Sequence, residues 1–420
     1  MMQISAEPFT IFAALVSISA LFSFINYKFM RLPTTIGVMV SSLVLSMMLM
    51  AFGYLGVLTP IVEEGMLLVL GIDFNKTLMV GMLSFLLFAG ALHVDINDLM
   101  EQRLRIITFA TVGVLISTAV IGSASYYLLM AMGVEIGFVY CLLLGAILSP
   151  TDPIAVLGIL KKAGAPKSLE VKITGESLFN DGVGVVVFIT LLGLASGESD
   201  LDALGVALMF TKEVIGGLVF GFIAGLLTYK LLKEVDNYQV EILLTLALVA
   251  GGYSLASSMH ISGPIAIVIA GLFIGNHGRR FAMSAKTREH LDMFWQSVDE
   301  LMNSILFVLI GLELLVISFR LQGLVIGLCM IVVVLAARLI SIGIPMKLLG
   351  AFRAFSSGAL RVMTWGGLRG GISVALALSL PTGPERNIIL QVTYVVVVFS
   401  IIVQGLTLKR VLSSSAVKES

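Results

Sequence analysis

Three short segments carry the residues best able to do chemistry: Ser149-Pro150-Thr151-Asp152-Pro153, Gly175-Glu176-Ser177-Leu178-Phe179-Asn180-Asp181-Gly182 and Gly366-Gly367-Leu368-Arg369-Gly370-Gly371. Their carboxylates, hydroxyls and amides form an oxygen-rich ligand set. Such a set suits a hard cation, and the carboxylates can equally hold a proton. Within the second segment, read as a helix, Glu176 and Asn180 stand four apart and share a face. Ser177 and Asp181 do the same on the adjoining face, so the helix carries a polar strip. The first segment has two prolines. Pro153 removes a backbone donor and crowds the carbonyl one turn back. Ser149 and Asp152, each preceding a proline, are turned away from helical dihedrals. A helix through this stretch breaks between Pro150 and Pro153, freeing carbonyls and a half-helix N-terminus.

The surroundings make these residues costly. The 420-residue chain is 58% hydrophobic and 12% charged, about half the charged fraction of a soluble domain. The apolar residues fall in runs of roughly 20, the length that crosses a bilayer. The pattern predicts an all-α polytopic membrane protein with thirteen spans, near 9–28, 35–57, 76–94, 104–132, 137–160, 171–195, 203–231, 239–258, 262–276, 299–318, 322–349, 361–381 and 387–408. The stretch near 61–72 reads alternatively as a short interfacial helix. Of the 26 Lys and Arg, 20 then fall in loops or at span ends on one side and 3 on the other (Lys76, Arg320 and Arg386), while Lys212, Arg338 and Arg369 lie deeper within spans. The positive-inside rule places the rich side in the cytoplasm, with the N-terminus outside and the C-terminus inside.

Asp152 therefore falls in the fifth span and Glu176 and Asp181 in the sixth, with Asp181 near mid-membrane. Each charged side chain at the centre of a lone helix costs about 2.5–3.5 kcal/mol to insert. Such groups face a partner, a cavity or an ion. Arg338 in the eleventh span cannot shed its charge and needs an acceptor; Glu176 is the expected one, leaving Asp181 and Asp152 to handle the ion. The glycine-rich twelfth span matches the proline-broken fifth and runs in the opposite direction. Two interrupted helices of opposite polarity suggest an inverted repeat, with broken helices forming an ion site as in secondary transporters. Gly182, Gly184, Gly216 and Gly217 read as close helix packing. Glu313, in the tenth span, is a further candidate for a place near the pathway.

Other classes fit less well. A formal net charge of +0 gives no electrostatic footprint for nucleic acid. Cys141 and Cys329 lie in apolar runs and suit packing. The first apolar run reads as a full span rather than a cleaved leader. A single membrane domain over 1–420 is expected. A channel would need a pore or filter built by symmetry. An intramembrane aspartyl protease could use Asp152 and Asp181, but no proteolytic motif accompanies them, so an enzyme is not expected. A cation symporter on the same architecture stays open.

Together, in this order, the three motifs resemble those of the NhaP-type monovalent cation:proton antiporters, relatives of the animal sodium/proton exchangers. The resemblance covers nearly the whole chain. It implies a homodimer in the cell membrane, each protomer with a dimerisation bundle and a mobile six-helix core. It implies that Asp181 carries the cation or proton, with Ser177, Thr151 and Asp152 completing the coordination. It pairs Glu176 and Asn180 with Arg338, and gives Arg369 a structural role. One departure stands out: where many members carry Leu-Phe-Glu in the third helix, this chain reads Leu87-Phe88-Ala89. The site has one carboxylate fewer, with His93 and Asp95 following at the cytoplasmic mouth. The function expected is exchange of Na+ or Li+ for H+, alternatively K+ for H+, without a resident cofactor. Asn180, in place of a second aspartate, points to electroneutral one-for-one exchange. A short chain without a regulatory tail fits a bacterial or archaeal source and a role in pH homeostasis.

Overall fold

Apolar runs of this length have no soluble core to fill, and in lipid they must satisfy their own backbone by forming helices. A computed structural model, describing residues 8–56, 65, 69, 71–162, 164–196, 203–348 and 358–414, shows helices and no strand among those residues. Ten helical segments are long and apolar enough to cross a membrane. They are α1 (Phe9–Met30), α2 (Thr34–Tyr54), α3 (Phe74–Leu92), α4 (Arg103–Ala131), α6 (Lys167–Ala195), α7 (Leu208–Lys233), α8 (Tyr238–Ser258), α10 (Ala285–Glu313), α11 (Leu321–Leu348) and α13 (Pro384–Ser414). The other three expected spans fall on shorter pieces. These are α5a and α5b (Phe138–Leu148 and Ile154–Lys162), α9 (Gly263–Phe273), and α12a and α12b (Ala359–Trp365 and Gly371–Leu378). The interfacial stretch suggested near 61–72 lies almost wholly outside the described residues.

The tenth span differs most from expectation. It was expected over 299–318, but α10 starts at Ala285 and ends at Glu313. Ser284 caps it by accepting from Thr287 N at 3.3 Å, which satisfies one of the orphan donors of the first turn. Polar residues in its first half, among them Asp292, Gln296, Asp299 and Glu300, dilute the local hydropathy. A window average therefore places the start too late.

The helices sort into two groups by packing. α4, α5, α6, α11, α12 and α13 lie against one another, as do α1, α2, α3, α7, α8, α9 and α10, with thinner contact between the groups. Small residues permit the closest approaches. A Cβ on Gly217 of α7 would stand 2.8 Å from the Ser262 carbonyl at the start of α9, and one on Gly184 of α6 would press on the Pro150 ring. Within the second group, Ser42 and Ser46 of α2 donate to the α10 carbonyls of Val308 and Gly311, both at 2.8 Å. These bonds fix the C-terminal half of α10, which walls the central cavity.

Both interrupted helices break where the sequence predicts: α5 is non-helical over 149–153 and α12 over 366–370. Freed backbone groups at this depth need partners. At the α5 break, the Ser149 hydroxyl donates to Gly145 O at 2.7 Å and Thr151 N donates to Asn180 Oδ1 at 3.3 Å. At the α12 break, Arg369 N donates to Ser400 Oγ at 2.9 Å and Gln404 donates to Trp365 O at 2.9 Å. Asp152 N donates to Leu368 O at 2.8 Å, so the two breaks touch directly.

Candidate functional site

Asp181 sits fourteen residues into α6, about 21 Å along a helix of 29 residues. It is 6% exposed. No ion pair or hydrogen bond to its carboxylate is found among the described residues. The charged group acting on it is another carboxylate, Asp152. A second acid thus acts on Asp181, whose own carboxylate has no paired cation among the described residues. That arrangement is stable only if a proton or a cation neutralises it.

The neighbouring hydroxyls and amide are organised. Thr151 Oγ1 lies 2.9 Å from Ser177 Oγ, and Asn180 Nδ2 donates to Thr151 Oγ1 at 2.8 Å. With Thr151 N also donating to Asn180 Oδ1, the amide clamps the unwound α5 segment to α6 from both ends. The resemblance had joined Asn180 to Arg338; here the hydrogen bonds of its side chain go to Thr151. Asn180 therefore positions Thr151, while Ser177 and Thr151 face each other beside the acids. Asp152 is placed by the α12 break: Gly370 leaves the room its side chain occupies, and an added Cβ would stand 2.7 Å from Asp152 Cβ. Gly370→Ala is expected to displace the Asp152 carboxylate. Transport should fall by about tenfold or more while the melting temperature stays near wild type, as a vesicle flux assay and a thermal unfolding curve would show. Unchanged flux would mean that the position of Asp152 does not matter.

Glu176, one turn before Asn180, has a different partner. The Arg338 guanidinium grips it at both oxygens, with Nη2 to Oε2 at 3.0 Å and a still shorter contact between Nη1 and Oε1. The side chains are 1% and 7% exposed. Arg338 Nε also donates to Met363 O at 3.4 Å, tying α11 to α12a as well as to α6. Arg369 is 1% exposed and donates through Nη1 to Gly367 O at 2.6 Å. It feels Arg338 and Glu176 electrostatically. These three charges form a knot behind the α12 break, apart from the Asp181 cavity.

A cavity of about 920 Å³ reaches Asp152, Thr151 and Asp181. Its mouth is lined by His93, Asp95, Asp98, Lys167 and Gln296, and further in by Asp299 and Gly370. Ala89 is 2% exposed on its wall and offers only a methyl group. His93 Nδ1 lies 2.8 Å from Ala89 O; a carbonyl only accepts, so the imidazole proton resides on Nδ1. Asp95 caps the following short helix by accepting from Asn97 N at 2.8 Å, and Asp98 pairs with Lys167 at 2.7 Å. Asp299 is a cavity residue that sequence reasoning missed. It faces the field of Asp152, and Asn303 one turn on is within hydrogen-bonding reach. The signal was present: Asp292, Gln296, Asp299 and Asn303 recur at helical spacing, marking a polar stripe on an otherwise apolar helix.

Residues 14–414 match the family described as sodium/hydrogen exchanger, transmembrane. The chain belongs to the sodium/hydrogen exchanger family. It is 50% identical over 401 residues to the Na(+)/H(+) antiporter NhaP of Pseudomonas aeruginosa, covering 94% of each chain. It is 36% identical over 341 residues to the antiporter NhaH of Halobacillus dabanensis, covering 80% of this chain and 82% of that one. The fold of this exchanger is also that of the sodium proton antiporter MjNhaP1 from Methanocaldococcus jannaschii solved at pH 8, with a TM-score of 0.74 at 19% identity over 99% of both chains. Membership places the protein among secondary transporters, as a multi-pass membrane protein.

Proposed function

We propose that the protein exchanges Na+ or Li+ for H+ by letting cation and proton compete for Asp181. The observation that carries this reading is the Asp181 carboxylate: almost wholly buried, open to a cavity, and without a counter-charge paired to it among the described residues. A hard monovalent cation needs oxygen ligands. Asp181, Asp152, the hydroxyls of Ser177 and Thr151 and the unwound backbone supply them, with water completing the shell. Either bound species neutralises the site. The neutral site crosses the low-dielectric barrier and the bare anion does not, which makes exchange obligatory. Thirteen crossings, and movement of the α4–α6 and α11–α13 group against the other, supply alternating access. The 20-to-3 division of basic loop residues supports a cytoplasmic cavity mouth and C-terminus and an external N-terminus. A homodimer in the cell membrane follows from the motif resemblance.

Competition at one carboxylate, with Asn180 in place of a second acid, gives one-for-one exchange and no net charge movement. Transport by purified protein in sealed liposomes is therefore expected to be the same at imposed potentials of either sign. A steady dependence on voltage would overturn the one-for-one stoichiometry. The antiport itself is tested in everted vesicles from cells lacking their own antiporters. A proton gradient read by a fluorescent dye should collapse on adding Na+ or Li+, and the response to K+ decides the K+/H+ alternative.

A further inference from the structure

A second cavity, of about 530 Å³, lies at the other end of the molecule. Phe74 and Asn75 at the start of α3 line it, whereas His93 just past the end of α3 lines the mouth of the Asp181 cavity. The same reversal holds on α10. Glu313 lines the second cavity and Asp299, fourteen residues earlier and about 21 Å away, lines the first. On α12b, Ser373 borders the first cavity and Leu378 the second. The residues between them, Val374 to Ala377, are at most 2% exposed. About 7.5 Å of packed helix therefore separates two cavities that open to opposite faces.

Glu313 is 8% exposed on the wall of this second cavity. Among the described residues, nothing donates a hydrogen bond to its carboxylate and no ion pair holds it. The positive field acting on it comes from Arg386, whose Nη2 is held by Leu378 O at 3.2 Å. Glu313 and Asn75 belong to one helix group and Arg386 to the other. Around them the two groups are joined by hydrogen bonds: Asn75 Nδ2 to Ala375 O at 2.7 Å and Tyr394 Oη to Ile310 O at 2.8 Å. From this face the way to Asp181 is closed beyond the second cavity, while the opposite face is open as far as Asp181.

We propose that Glu313 is a second monovalent-cation site, which loads the exchanger from the face opposite the Asp181 cavity. The inference rests on the antiport reading. While this face is closed, Arg386 balances the carboxylate. When the two helix groups separate here, the bonds between them break and Arg386 moves off with α13. Glu313 is then a carboxylate left in a low-dielectric mouth, with Asn75 Oδ1 on the wall of the same cavity as a further oxygen ligand. A cation from solution takes the place of the guanidinium.

The two faces can be measured separately, with full-length protein in right-side-out and everted vesicles and Na+ as the probe. Glu313→Gln is expected to raise the half-saturating Na+ concentration about tenfold in right-side-out vesicles, and to change it by less than about twofold in everted ones. Arg386→Gln should lower it in right-side-out vesicles, and Glu313→Asp, which keeps the charge, should stay close to wild type on both faces. A purely structural Glu313 would shift both faces equally or neither, and either result overturns the proposal. If Glu313→Gln does not reach the membrane, the opposite shift by Arg386→Gln on one face alone carries the test, and its absence counts against the site. Wild-type vesicles that show no Na+-driven proton movement on either face would sink the antiport reading instead.

Discussion

Asp181→Asn is expected to give a folded, membrane-inserted protein whose Na+-driven proton flux equals that of vesicles lacking it. The amide has nearly the shape of the carboxylate but can neither take up a proton nor neutralise a cation. Among the described residues nothing pairs with this buried acid, which sits in the field of Asp152, so removing its charge relieves repulsion rather than breaking a bond. Melting temperature in detergent should therefore stay at or above that of wild type. This combination separates a transport role from a structural one: loss of a structural residue lowers both readouts together. Wild-type flux from Asp181→Asn would place the carrier group elsewhere, and Asp152 would be the next to test.

The largest stability effect is expected at the buried ion pair. Arg338→Met leaves Glu176 without its counter-charge at 1% exposure and strips a donor from Met363 O. Breaking one side of such a pair costs about 3–5 kcal/mol. Glu176→Gln is costly for the opposite reason, because it leaves Arg338 and Arg369 near each other with no anion to balance them. Each single variant should melt well below wild type. The double variant Glu176→Gln/Arg338→Met should melt above the sum of the two losses, since it removes both charges at once. Thermal unfolding followed by size-exclusion chromatography reads all three. If Arg338→Met melted with the wild type, the knot would not be a structural support for the α12 break. The flux of whatever folded Glu176→Gln protein remains then tells whether the pair also serves transport.

Much of the architecture was legible in the chain because lipid simplifies the problem. With no water to satisfy the backbone, apolar runs of about 20 residues can only be helices, and 58% hydrophobic composition leaves little else to read. Proline chemistry located the α5 break, and glycine density located its counterpart in α12. Charge economy singled out Asp152, Glu176, Asp181 and Arg338, because residues that expensive are kept only where something answers them. Hydropathy failed at the start of α10 for the same reason that it succeeded elsewhere: it averages, and Asp299 sits among polar neighbours on a helix that continues well before them.

Tertiary structure decided who meets whom. Spacing along α6 puts Glu176 with Asn180 and Ser177 with Asp181, but a helical face does not say what lies opposite. The fold brings Arg338 to Glu176 across 162 residues of sequence, brings Thr151 to both Asn180 and Ser177, and leaves Asp181 open to a cavity. It also sets the α5 break on the α12 break through Asp152 N and Leu368 O. Finally, it separates Glu313 from Asp299 along one helix, so that the two acids border different cavities. Partnership depends on distance in space, and local sequence rules reach only about one helical turn.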